Sequence, residues 1–221
     1  MSQGPVRLFG ALFAMLLLAF GAAAAWARGQ PERDLARAEA RIGSRITAGD
    51  LVFQDLECGP RCELIRQVTH SRYVHVGLVL GEGDARVVWE AFAPVGPTPL
   101  AEWVTRGKGQ QLAVYRLDES LRAQLPKIEA ALKSMSGRPY DGDYQWDDER
   151  IYCSELVVKA VQQATQVELF APHPSGDGAF GAQRELVSKM SGGRLTEQTP
   201  LVSPVDLTRS PRVRRIADEL R

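Results

Sequence analysis

The pattern of apolar and polar positions predicts short strands alternating with helices. Strands are predicted at residues 49–54, 74–80, 86–92 and 111–117, with a last one near 212–216. Apolar residues at helical spacing predict helices over residues 62–68, 120–135 and 153–164. Pro126 either kinks the second of these helices or marks its true start. Residues 42–221 therefore carry the elements of one domain, without an internal repeat.

The segments between these elements have less regular patterns. Residues 28–41 are charged and rich in alanine, which predicts a short exposed helix or a linker. Prolines and glycines over residues 172–181 predict a long loop, and residues 201–207 are expected to be extended.

The first 27 residues have the pattern of a signal peptide. Arg7 precedes a continuous apolar stretch over residues 8–20, and Ala25-Trp26-Ala27 supplies a cleavage pattern with small residues. We therefore expect export, with a periplasmic or secreted mature protein that starts at Arg28. Residues 8–27, if left uncut, would just suffice as an inner-membrane anchor.

Composition and charge narrow the class of partner. The chain has 221 residues, with 27 basic and 27 acidic side chains and no net charge. These values are ordinary for one globular domain and give no reason to expect a nucleic-acid partner. The basic run at residues 209–215 is interpreted as a solvated strand face rather than a binding patch.

The chain has three cysteines, which is an odd number for a protein that is expected to be exported. Cys58 and Cys62 lie four residues apart, and they form either a small disulfide loop or two separate thiols. Zinc would need further ligands that the sequence does not place, so no metal site is predicted. If Cys58 and Cys62 pair, Cys153 remains free.

Cys153 lies where a polar loop turns into an apolar helix. A thiol in the first turn meets the positive end of the helix dipole and free backbone N–H groups, which favour a nucleophilic thiolate. A cysteine at such a position is also a common small core residue, so this pattern alone leaves both interpretations open.

His75 lies at the start of the strand at residues 74–80, and the hairpin that follows is expected to bring a carboxylate next to it. If the turn is centred between Glu82 and Gly83, His75 faces Glu90, and Gly77 faces Val88. A carboxylate beside an imidazole fixes its tautomer and stabilises the imidazolium. A slip of one residue would move Glu90 to the other face.

Two further histidines compete with His75. His70 precedes the strand and is expected at the rim of the site, and His173 lies in the loop rich in proline and glycine, where exposure is expected. His75 and Glu90 also have structural interpretations when taken singly. The joint occurrence of a cysteine, a histidine and a glutamate favours a catalytic group.

The motifs around these residues resemble the permuted branch of the NlpC-type papain-like superfamily, most closely the YiiX/YebB-like cysteine hydrolases. The matching segments are residues 49–54, 69–77, 89–92, 98–100 with Trp103, 137–141 and 152–156. The similarity covers roughly residues 42–215. Val74 stands where the family usually has a serine before its histidine. The Cys58 and Cys62 pair has no assigned counterpart.

The resemblance implies an α+β, circularly permuted papain-like fold in which an antiparallel sheet packs against the helix of the catalytic cysteine. It implies Cys153 as nucleophile, His75 as base and Glu90 as third polar residue, with no cofactor. Tyr73, Tyr140 and Gln54 are candidate oxyanion donors.

The expected activity is hydrolysis of an amide or peptide bond, with small peptides such as cell-wall fragments as substrates. Lecithin–retinol acyltransferases belong to the same branch, so a thioesterase or acyltransferase acting on acyl lipids is the alternative. A non-catalytic binding module is the third interpretation.

Overall fold

The computed structural model describes residues 29–221, so the predicted signal peptide and the start of the mature chain at Arg28 lie outside the described residues. Within residues 29–221, no helix is both long enough and apolar enough to span a membrane.

A six-stranded antiparallel sheet forms the centre of the fold, and its strands are β1 (Asp50–Gln54), β2 (His75–Leu80), β3 (Val87–Ala91), β4 (Val95–Pro99), β5 (Leu112–Leu117) and β8 (Val213–Asp218). Across the sheet these strands follow the order β4-β3-β2-β1-β5-β8. A separate pair consists of β6 (His173–Pro174) and β7 (Pro200–Leu201). The fold is α+β with an antiparallel sheet, as the resemblance implied.

Helices cover both faces of this sheet. They are α1 (Gln30–Ile42), α2 (Pro60–Thr69), α3 (Leu100–Arg106), α4 (Glu119–Arg122), α5 (Leu125–Ser134), α6 (Cys153–Thr165), α7 (Gly178–Ala182), α8 (Arg184–Met190) and α9 (Pro204–Leu207). Single 3₁₀ turns lie at Gly83–Ala85 and Lys108–Gln110.

The side chains of β1 point alternately to the two faces of the sheet, and the core accordingly has two layers. Leu51 and Phe53 join the cluster beneath α5 and α6, and Val52 joins the cluster beneath α1 and α3. Successive strand residues point to opposite faces, so a continuous apolar strand in the middle of the sheet fills both layers. The sheet is therefore sandwiched between helices, with the Cys153 helix on one side.

The helix predicted over residues 120–135 is two helices, α4 and α5. Pro126 lies in the first turn of α5, where its missing N–H costs no hydrogen bond. It marks the start of a helix, which was one of the two alternatives. The Asp118 side chain caps α4 by accepting a hydrogen bond from the Leu121 N–H at 3.0 Å.

Several predictions for the segments between the regular elements were wrong in whole or in part. The loop expected at residues 172–181 contains β6 and the start of α7, and residues 204–207, expected to be extended, form α9. Ser203 caps α9 by donating from its N–H and its hydroxyl to Asp206, and this local capping outweighs the extended pattern. Of the two alternatives for residues 28–41, a short exposed helix or a linker, the helix is present as α1, but it is not fully exposed, because Leu35 and Ala38 are buried in the cluster that α3 also lines.

Candidate active site

Cys153 is the first residue of α6 and a free thiol. Its helix start is fixed by Glu155, whose Oε2 accepts a hydrogen bond from the Tyr152 N–H at 3.1 Å. Only 4% of Cys153 is exposed, so the thiol is accessible from a narrow direction. The positive end of the helix dipole favours negative charge at this position.

His75 and Glu90 form a buried pair. The His75 Nε2 lies 2.5 Å from the Glu90 Oε2, and the two residues are 3% and 1% exposed. Both belong to the face of the sheet that α3 covers, since the rings of His75 and Trp103 stack with centroids 6.4 Å apart. The contact predicted from the hairpin is therefore present.

The register that led to this prediction was wrong by two residues. β2 pairs Leu78 with Trp89 and Leu80 with Val87, so the turn is centred between Gly83 and Asp84 and extension places Glu90 opposite Gly77. The reason is the 3₁₀ turn Gly83–Ala85, which lengthens the connection. An even shift keeps every side chain on its face, so Glu90 still reaches His75 diagonally.

Three further donors surround the Glu90 carboxylate. Thr98 Oγ1 donates to Oε1 at 2.6 Å, whereas Trp103 Nε1 and Arg106 Nη2 donate to Oε2 at 3.2 and 2.5 Å. Burial raises the pKa of Glu90, but hydrogen bonds and charge from His75 and Arg106 outweigh burial and lower it to about 2. Glu90 is therefore ionised throughout the physiological range.

His75 binds Cys153 as well as Glu90. Burial lowers the pKa of His75, but hydrogen bonds to Cys153 and Glu90 outweigh it, and their negative charges raise the pKa further, to about 9. The imidazole is thus positioned between a thiol and a carboxylate, and it is protonated at neutral pH. This arrangement can hold a thiolate–imidazolium pair and exchange a proton with a group bound at the thiol.

The three candidate oxyanion donors are placed differently. Tyr140 is half-buried, and its removal from water, together with the neighbouring Tyr144 and the charge of Cys153, raises its pKa well above the ordinary value. Its hydroxyl is therefore neutral. Tyr73 instead donates its hydroxyl to Asp218 on β8. Gln54 pairs with His75 in the strand ladder, and its buried side chain lies against Gly107.

Two spaces adjoin this group. A narrow cavity is bordered by Cys153 and by apolar side chains, whereas an open cleft of about 460 Å³ is bordered by His75, Phe92 and the disulfide loop. Ile65, Val74 and Tyr140 form a wall shared by both spaces.

Comparison with known proteins assigns the family. Residues 45–217 match the family model described as permuted papain-like amidase enzyme, YaeF/YiiX, C92 family. The chain belongs to this family. The resemblance drawn from the sequence motifs is confirmed, and with it a cysteine amidase or peptidase type of hydrolase on a permuted papain-like fold.

Two relatives agree with this family assignment. YiiX of Escherichia coli strain K12 is 35% identical over 117 residues, which are 52% of this chain and 57% of YiiX. The chain thus matches little more than half the length of that relative. A crystal structure described as metalloprotein YiiX from Escherichia coli O157:H7 superimposes with a TM-score of 0.70 and 29% identity, covering 78% of this chain and 97% of that one.

The other predicted residues of this permuted papain-like amidase lie around the group. Cys58 and Cys62 form a disulfide just before and within α2. His70 follows α2 in a left-handed conformation and is exposed, and it lines neither of the two spaces, so its place at the rim stays a prediction. His173 is less exposed than expected, because its Nε2 lies 3.3 Å from the Asp206 Oδ2.

Sequence reasoning did not identify the partners of Glu90 as site residues. Thr98 and Trp103 lie in segments that carried the family resemblance, and Arg106 carried no signal of its own. The available signal was the spacing of Trp103 and Arg106, which at i and i+3 on α3 share one helix face.

Proposed function

We propose that the chain hydrolyses an amide or peptide bond with Cys153 as nucleophile, His75 as general base and acid, and Glu90 as the group that orients and charges His75. The contact of His75 with both Cys153 and Glu90 carries this proposal. It combines a nucleophile, a base and an orienting carboxylate, the arrangement on which covalent hydrolases rely.

The first half of the reaction forms a thioacyl-enzyme. His75 takes the proton of Cys153, and the thiolate attacks the carbonyl carbon of the amide. When the tetrahedral intermediate collapses, the carbon–nitrogen bond breaks and the His75 imidazolium gives its proton to the leaving amine. Backbone N–H groups at the start of α6 and the neutral hydroxyl of Tyr140 are the proposed donors to the oxyanion.

Water completes the cycle. His75, now neutral, takes a proton from a water molecule that attacks the thioacyl carbon. The carbon–sulfur bond then breaks, the acid leaves and the proton returns to the Cys153 sulfur. Glu90, which stays ionised, stabilises the imidazolium in both halves.

No step is routed through a metal. The relative from Escherichia coli O157:H7 is described as a metalloprotein. In residues 29–221 of this chain, no three His, Cys, Asp or Glu side chains lie together as metal ligands. Cys153 and His75 are instead partners of each other, so the donor set fits a thiol mechanism.

The proposed location is the periplasm or the cell exterior, with cell-wall peptides as one substrate class. The apolar stretch at residues 8–20 and the Cys58–Cys62 disulfide support export, since disulfides persist in oxidising compartments. Cell fractionation of the full chain with an epitope tag tests this location. Recovery in the cytoplasm without cleavage near residue 27 would contradict it.

A thioesterase or acyltransferase acting on acyl groups is the second candidate. The same thioacyl intermediate would serve it, and the apolar cavity beside Cys153 is the observation that favours it. Hydrolysis rates of an amide and an ester that share one acyl group distinguish the two activities.

Alkylation of Cys153 by iodoacetamide is the experiment that tests the catalytic group itself. We expect rapid alkylation well below pH 8 in the wild type and a strong loss of rate in His75→Ala. An ordinary thiol profile that His75→Ala leaves unchanged would refute the mechanism and favour a binding module. Mass spectrometry of the labelled peptide confirms that Cys153 is the residue modified.

A further inference from the structure

A pocket of about 430 Å³ lies at the end of the sheet opposite to the catalytic group, and we call it the distal pocket. It is lined by residues 45–48 before β1, residues 81–83 and Arg86 between β2 and β3, and Arg122 and Leu125 of α4 and α5. β2 begins at His75 and spans six residues, so at about 3.3 Å per residue its ends lie about 17 Å apart. The lining shares no residue with the cavity or the cleft. The distal pocket is therefore separate from the site of the proposed reaction.

Three arginines from three different segments line the distal pocket. Arg45 lies in the loop before β1, Arg86 precedes β3, and Arg122 is the last residue of α4. The acid in the same lining is Glu82, which is exposed on the turn, where solvent and salt screen its charge. The lining thus carries an excess of positive charge, and the partners of the three guanidinium groups decide how much of it remains for a ligand.

Arg86 is held rigidly and its charge is already balanced. It is 7% exposed, its Nε donates to the Gly83 carbonyl at 2.7 Å, and its Nη1 donates to the Ile46 carbonyl and to the Glu39 Oε1, both at 2.5 Å. In the described part of the chain its Nη2 donates to no acceptor, so two N–H groups in fixed positions remain. Arg86 supplies a pre-organised donor rather than an unmatched charge.

Arg122 crosses the start of β1 and has a donor without an acceptor. A Cβ at Gly49, whose φ is +62° to the left-handed side of the map at +86°, would lie 2.9 Å from the Arg122 Cγ, so the glycine leaves the room that the arginine stem occupies. The Arg122 Nε is buried and has no hydrogen-bond partner among residues 29–221. Within those residues Arg122 also forms no ion pair, in contrast to Arg116, whose Nε lies 2.6 Å from the Asp50 Oδ1. A buried N–H without an acceptor is destabilising, so an oxygen supplied by a ligand would stabilise this position.

Arg45 provides the second unmatched charge. Its side chain is exposed and forms no ion pair in the part of the chain that the structure describes. The next residue, Ile46, is tied by its N–H to Glu39 at 2.9 Å and by its carbonyl to Arg86, so the loop that carries Arg45 is fixed at the pocket. Because Glu39 balances Arg86, Arg45 and Arg122 leave two positive charges.

A phosphate group has the chemistry that suits these donors. As a monoester it carries about −1.5 to −2 charge at pH 7 and presents three acceptor oxygens. Two unmatched guanidinium groups balance that charge, whereas a carboxylate brings one charge and two oxygens. Ile46, Ala48 and Leu125 add apolar surface to the same lining, which suits the organic part of a phosphomonoester.

We propose that the distal pocket binds the phosphate group of a phosphomonoester, with Arg45 and Arg122 matching its charge and Arg86 donating from a fixed position. The site does not depend on the proposed hydrolysis, and its test needs no turnover. A free phosphomonoester and a lipid headgroup that ends in a phosphomonoester share this chemistry, and the experiment separates the two sources.

Isothermal titration calorimetry with phenyl phosphate tests the free source. We expect saturable binding near pH 7, and binding weaker by about tenfold or more in Arg45→Gln and in Arg122→Gln, because each change removes one charged partner. Benzoate, which brings one charge, should bind more weakly by a similar factor. Arg215→Gln is the matched control and should bind like the wild type, since Arg215 is exposed on β8 and does not line the pocket.

Sedimentation with phosphatidylcholine vesicles, prepared with and without phosphatidic acid, tests the lipid source. Binding that requires phosphatidic acid and is lost in Arg45→Gln and Arg122→Gln, without binding of phenyl phosphate, would support the same site with a headgroup as its ligand. Arg45→Gln keeps the test decisive if Arg122→Gln does not fold, because Arg45 is exposed in a loop. Absence of binding in both experiments, an equal loss in Arg215→Gln, or equal affinity for benzoate would overturn the proposal.

Discussion

Replacing Glu90 by glutamine removes the charge of the buried carboxylate and keeps its shape. In the wild type, the pKa of His75 lies at about 9, above its ordinary value of 6.5, and Glu90 is one of the two groups that raise it. A nearby opposite charge typically shifts a pKa by about 1 to 3 units. Because Cys153 still raises the pKa of His75 in the variant, we expect Glu90→Gln to lower this pKa by only about 1 to 2 units, or about 1.4 to 2.7 kcal/mol.

The assay is the rate of Cys153 alkylation as a function of pH. In a thiolate–imidazolium pair, the rate rises a second time when the imidazolium loses its proton, because the thiolate is then no longer held by a positive charge. This upper inflection should lie near pH 9 in the wild type. In Glu90→Gln it should move down by the same 1 to 2 units, within about pH 7 to 8.

Glu102→Gln is the control, because Glu102 also lies on α3 but is exposed and does not contact His75. It should leave the upper inflection in place. An upper inflection that stays near pH 9 in Glu90→Gln would refute the reasoning, since the carboxylate would then contribute no charge stabilisation. Near-ultraviolet circular dichroism shows whether each variant keeps its tertiary packing.

The raised pKa of His75 also makes the free energy of unfolding depend on pH. Because the pKa of His75 is raised on folding, its contribution is fully present below pH 6.5 and is lost as the pH rises through about 9. The shift of about 2.5 units corresponds to about 3 kcal/mol. Urea unfolding should show this loss between about pH 6 and pH 10 in the wild type and a smaller loss in Glu90→Gln.

Three further changes test the structure around the site. Leu132→Ala in α5 removes a fully buried side chain and should lower the free energy of unfolding by about 2 to 5 kcal/mol in urea titrations; a change well below this range would contradict its place in the core. Reduction of the Cys58–Cys62 disulfide, which spans four residues, should cost about 2 kcal/mol by calorimetry, and an unchanged melting temperature would contradict this. Gly77→Ala brings a methyl group to within 2.8 Å of the Trp89 carbonyl oxygen, so it should cost about 1 to 3 kcal/mol and shift the upper inflection of alkylation. An unaltered pH profile and stability would show that β2 and β3 can separate without cost.

The sequence predicted the central strands well, because each is a continuous apolar run that must be buried on both faces. It missed β4, where Pro97 and Pro99 argue against a strand. β4 tolerates them because it is the edge strand of the sheet, and a proline there needs no ladder hydrogen bond on its outer side. Edge position is a property of the assembled sheet, so local sequence does not reveal it.

The site was predictable to the extent that it depends on sheet faces. The contact of His75 with Glu90 survived an error of two residues in the register, because parity and not exact pairing decides which face a side chain occupies. Arg106 was not predictable in the same way. Its contact with Glu90 depends on how α3 packs across β3 and β4, which is a tertiary feature without a local pattern.

The position of His75 at the very start of β2 explains how the group is assembled at all. Cys153 belongs to the core layer under α6, whereas Glu90 and Trp103 lie in the layer under α3. A filled sheet separates these layers, so a thiol on one side cannot reach a carboxylate on the other through the middle of the strands. The two can be joined only at a strand end, by a residue at the first or last position of a strand. His75 meets this condition, which is why the polar residue at the head of an apolar strand carried more functional information than any residue within it.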